Sequence, residues 1–136
     1  MSSARRPGGP SEAEAVLVRE FGVPRHPAIG RDAAVQRVRE RIVADNLRCE
    51  RLDISDEVVP RDALFDMSGK RVEWPDGPAY DRCYVALIDP DAQLLWGHRA
   101  YWAFVPAGPE GEVVVRETDF PERAEGRVRL DRVPLP

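Results

Sequence analysis

Residues 82–88 read RCYVALI, and neither alternating face of the run is polar: Cys83, Val85 and Leu87 fall on one side, Tyr84, Ala86 and Ile88 on the other. A strand that shows one face to water alternates apolar with polar residues, whereas one that is apolar on both faces must be covered on both. The run therefore predicts a central strand inside a sheet.

The residues after this run predict how the sheet continues. Asp89-Pro90-Asp91-Ala92 has Asp at the first and Pro at the second position of a type I turn, so a hairpin onto residues 93–97 is expected. Setting Asp89 opposite Ala92 brings Cys83 opposite His98, Val85 opposite Trp96 and Leu87 opposite Leu94, with all six side chains on one face. Residues 98–106, HRAYWAFVP, predict a strand with Trp102 and Phe104 on one face and Tyr101 and Val105 on the other, stopped by Pro106 and a turn over 108–111. Residues 112–117, EVVVRE, are expected to return antiparallel. Arg127, Arg129 and Asp131 alternate with Val128 and Leu130, as in a half-buried edge strand.

The N-terminal part has a different period. Residues 2–10, SSARRPGGP, offer almost nothing to bury and predict a flexible tail. Ser11 and Glu14 form a capping box ahead of Ala13, Val16, Leu17 and Phe21, and Gly22 supplies a stop, which together predict a helix over 12–21. After a Pro-containing connector over 23–30, Asp32 is placed to cap a second helix with Val35, Val38 and Ile42 on its buried stripe, ending near Asp45-Asn46. From Leu47 short β-like runs take over: 47–54, a break at Pro60, a hairpin near Ser68-Gly69, and a stop at residues 74–78, WPDGP.

Helices first and strands after predict an α+β fold with two N-terminal helices packed on one face of an antiparallel β-meander. The layout is similar to that of cystatin-like and bacterial immunity-protein folds in element order alone, which carries no function. At 136 residues, 43% hydrophobic and 32% charged, the chain is expected to form one domain over residues 11–136 behind a tail of residues 1–10.

Charge and chemistry narrow the function classes. A net charge of −4 supplies no bulk positive field for nucleic acid or anionic lipid. Lys70 is the sole lysine and the other basic residues are arginines dispersed among acids, read as a GC-rich coding bias. No apolar stretch reaches the roughly 18 to 20 residues of a membrane span and the first ten residues lack a signal-peptide core, so a cytoplasmic location without membrane association is expected. Cys49 and Cys83 form no CxxC pair and are expected to be reduced thiols.

The few serines and the single threonine sit in no nucleophile elbow. Cys83 beside His98, with Asp81 or Tyr101 orienting the ring, is the one nucleophilic arrangement the hairpin register suggests, against the plainer reading of Cys83 as a packed core thiol. Two histidines, His26 and His98, without HxxxH, HExxH or CxxC spacing predict no metal site, and Asp81, Asp89 and Asp91 lack the late glutamate of a calcium loop. With no phosphate-binding glycine loop either, no cofactor is expected.

Trp96, His98, Arg99 and Tyr101, with Trp102 beside them, are of the residue types enriched at binding hot spots, although a domain of this size also needs large side chains in its core. Arg99 marks the wetter face, because a guanidinium is costly to bury unpaired. The sequence thus points to a non-enzymatic protein-binding module, an accessory, adaptor or inhibitor-like protein whose partner contacts Trp96, His98, Arg99 and Tyr101. The alternative is a small-molecule binder or Cys/His-dependent enzyme with Cys83 and His98 in a pocket between helices and sheet.

Overall fold

The computed structural model describes residues 28–65, 69–94, 98–118 and 128–136. Within them lie one α-helix, α1 (Arg31–Ala44), one 3-10 turn (Pro78–Tyr80) and six strands: β1 (Arg51–Ser55), β2 (Val59–Pro60), β3 (Arg82–Asp89), β4 (Ala100–Pro106), β5 (Val114–Thr118) and β6 (Leu130–Val133). All strand pairs are antiparallel and the sheet order is β5-β4-β3-β1-β6, with β2 also paired to β3. No helix among the described residues is long and apolar enough to cross a membrane.

The architecture differs from the expected one in two respects. The described fold has one helix against a six-stranded antiparallel sheet, not two N-terminal helices on a meander; the tail over 1–10 and the helix expected over 12–21 lie outside the described residues. Nor is the sheet a plain meander. β3, β4 and β5 succeed one another, but β1 enters on the far side of β3 and β6 returns to pair with β1. The local hairpins follow chain order, whereas the β1–β6 pair joins distant segments through burial that neither segment announces alone.

β3 is the central strand that RCYVALI predicts: all of it but Arg82 is buried. On its even-numbered face Tyr84, Ala86 and Ile88 pack with Ala34, Val35, Val38 and Ile42 of α1, with Leu52 and Ile54 of β1, and with Ala103 and Val105 of β4. Val35, Val38 and Ile42 are the stripe read from sequence. Gly30 rather than Asp32 precedes the first turn, and Asn46 takes the left-handed stop at φ 53°. On the odd-numbered face Cys83, Val85 and Leu87 pack with Trp102 and Phe104 beneath a lid of chain that contributes Val59, Leu64 and Trp74. Trp74 meets Phe104 edge to face at 4.7 Å between centroids. Arg61 ties the lid down through the Asp81 carboxylate and the carbonyls of Pro75 and Gly77.

Arginine is the fastener of this fold as well as a composition bias. Arg31 donates to the carbonyl of Ser55, Arg39 to that of Pro134, Arg37 to that of Gly111 and Arg41 to that of Val113. The helix is thus anchored on both flanks to main-chain oxygens of neighbouring segments, a use suited to a planar five-donor group.

β1 and β2 are two stretches of one interrupted strand along β3. Continuing the β1 register would set Glu57 opposite Cys83, yet Val59 stands there. The two extra residues would strand the Val85 amide, and the Ser55 hydroxyl accepts it instead at 3.1 Å.

Candidate binding surface

The β3–β4 register decides where the sequence-predicted residues go. Ile88 stands opposite Tyr101 and Cys83 opposite Pro106, so the hairpin pairing of Cys83 with His98 is wrong. Pro90 opens a connection that runs to the start of β4 at Ala100, in place of a tight hairpin. Cys83 and Asp89 are the second and last residues of β3, roughly 20 Å apart at about 3.3 Å per residue, and His98 sits at the Asp89 end. Its ring Nε2 lies 2.8 Å from Asp89 Oδ1, with Asp89 and His98 side chains only 4% and 10% exposed. The same carboxylate oxygen accepts the Asp91 amide at 2.9 Å. Asp89 therefore organises the β3–β4 connection, and His98 ties the approach to β4 back to it.

Neither thiol is poised for attack. Cys83 is fully buried, and burial pushes its pKa up to about 12, against a smaller opposing pull from Arg61. Cys49 is half-buried near Asp89; burial first, and then the Asp89 carboxylate, raise it to about 11. Both remain protonated near neutral pH and are therefore weak nucleophiles. Among the described residues no group of three or more His, Cys, Asp or Glu side chains could hold a metal ion.

The predicted aromatic surface divides. Trp96 lies outside the described residues. Trp102 and Phe104 are core on the lid face, as their alternation predicts. Tyr101, on the other face, is half-buried against the α1 side of the core. Arg99 is exposed, 3.5 Å from Glu117 of β5, an ion pair with both side chains more than half exposed and so of small energetic weight.

The chain matches no protein-family model, no curated protein and no solved structure. Function must therefore be read from the molecule's own surface.

That surface has a feature that the sequence does not announce. β5 ends the sheet order, so its outer edge has no strand partner among the described residues. Lys70, Arg71, Val72 and Glu73 together with residues 115–118 line a groove of about 480 Å³. Register places Arg116 opposite Trp102, on the lid face, and Glu117 opposite Tyr101, on the helix face. Arg116 Nε is buried with no acceptor, and its Nη1 comes only to 3.7 Å from Glu73 Oε1. EVVVRE is readable as a strand, but nothing in six residues tells an edge from an interior position; that depends on β6 taking the other end of the sheet.

Proposed function

We propose that this protein is a binding module that takes an extended segment of a protein partner as an added strand along β5. The carrying observation is that the outer edge of β5 has no strand partner among the described residues and lies by a groove that Lys70–Glu73 also line. An exposed edge offers a row of main-chain donors and acceptors, and peptide-binding domains use such edges by adding the ligand as a further strand, with side-chain pockets giving specificity. Arg99, Tyr101 and Glu117 border this edge from the helix face, so the residues suggested by sequence as partner contacts form its flank rather than its centre. A non-enzymatic role also agrees with two protonated thiols and with a histidine committed to a structural carboxylate.

A photo-crosslinking side chain placed at Glu117 tests this in native lysate. A specific protein adduct is expected from that position and not from Val43, an exposed site on α1. Equal capture from Arg129, beside the β6 edge, would show that β5 is not the recognition edge.

A further inference from the structure

Register decides which main-chain groups of β5 face outward. The Ala107 amide donates to the Arg82 carbonyl at 2.9 Å, so the pairs of the β3–β4 ladder that exchange hydrogen bonds are those at the even-numbered residues of β3. Pro106, which has no N–H, accordingly stands opposite Cys83, at a pair that exchanges none. Successive residues of a strand turn their main-chain groups to opposite sides, so Ala100, Trp102 and Phe104 turn towards β5 and bond Thr118, Arg116 and Val114. The amides and carbonyls of Val115 and Glu117 are left pointing outward.

Val113, one residue before β5, continues the alternation. Its side chain is buried on the helix face, in the core against which Val115 also packs, so its carbonyl points outward as well. That carbonyl is taken: it accepts from Nη1 of Arg41 on α1. Arg41 is itself held by Asp45, one helical turn further on, whose carboxylate accepts from its Nε at 2.6 Å. Among the described residues nothing takes the outward main-chain groups of Val115 or Glu117 in the same way.

We infer that Arg41 fixes the register of a strand added to β5, standing where the residue opposite Val113 would lie, so that the added strand pairs with Val115 and Glu117 and stops there. This rests on the strand-addition reading above. In an antiparallel hydrogen-bonded pair the two residues exchange both N–H···O bonds. A guanidinium on the Val113 carbonyl takes the position of the incoming N–H and bars the chain that would carry it. The tether to Asp45 keeps it there, because an arginine already ordered by its own helix loses little further freedom in holding the carbonyl.

Hydrogen exchange on the free chain tests the geometry. The Val115 and Glu117 amides should exchange at least roughly tenfold faster than those of Val114, Arg116 and Thr118, and the opposite alternation would overturn the assignment. An end-capped heptapeptide of alternating threonine and valine, long enough to reach Val113, is then titrated into the full chain and followed by amide NMR. It should shift Val115 and Glu117 and leave Val113 unmoved. Arg41→Ala should bring Val113 into the responding set and tighten binding roughly fivefold, the worth of one more main-chain hydrogen bond. Asp45→Asn, which keeps Arg41 but loosens its tether, should give a smaller gain in the same direction. A Val113 response equal to that of Val115 in the unaltered chain, or one that neither variant changes, would show that Arg41 sets no register while strand addition stands. No response at β5 in any of the three chains would remove strand addition and the register with it.

Discussion

At the scale of single residues, the two faces of β4 behave as their alternation requires. Trp102 is 1% exposed and packs with Phe104, Leu87 and the lid, so Trp102→Ala should cost about 3–5 kcal/mol in denaturant unfolding, the usual loss for a core aromatic. The thiols give a second expectation. With Cys83 raised to about 12 and fully buried, and Cys49 half-buried, a thiol reagent near neutral pH should modify Cys49 first and reach Cys83 only through unfolding. His98→Ala should not change the Cys83 rate, since the two lie at opposite ends of β3. The folded chain holds the Cys83 proton above pH 9.0, where the unfolded thiol begins to release it. Stability should therefore fall as pH rises from about 9 towards 12, less steeply in Cys83→Ala. Sequence parity placed Trp102 and Cys83 in the core because the pleat is strictly two-residue. It failed for His98, because an Asp-Pro turn does not reveal whether it closes a hairpin or, as here, opens a longer connection.

At the scale of elements, the weak points are where ladders stop. The interruption between β1 and β2 leaves the Val85 amide to the Ser55 hydroxyl. Ser55→Ala orphans that buried donor and should destabilise by about 1–3 kcal/mol, with faster hydrogen exchange at Val85 than at its β3 neighbours. Sequence alone does not reveal the interruption: Pro60 signals a break, but which side chain fills the gap depends on register with a strand more than twenty residues away. α1 was legible in its apolar stripe and its Asn46 stop. Its anchoring was not, because the same arginines on an isolated amphipathic helix would read as a solvated face, and only the sheet shows the carbonyls they meet.

At the scale of the whole molecule, the central position of β3 was legible, since a run apolar on both faces has nowhere else to go. The order β5-β4-β3-β1-β6 was not, and with it the identity of the edges. Arg116 bears on what an open edge risks, because a charge in a short edge strand discourages copies from joining. Arg116→Val should therefore promote concentration-dependent self-association, measurable by sedimentation velocity, while leaving the thermal midpoint nearly unchanged. Lys70, the one lysine of the chain, is exposed on the wall of the groove. A lysine-specific endoprotease has a single bond to cut in this protein, and that bond lies where a ligand strand would cross. Cleavage into residues 1–70 and 71–136 thus becomes a footprint of occupancy: a bound segment should slow the nick, and the intact chain surviving after a fixed digestion time reads out binding without a label.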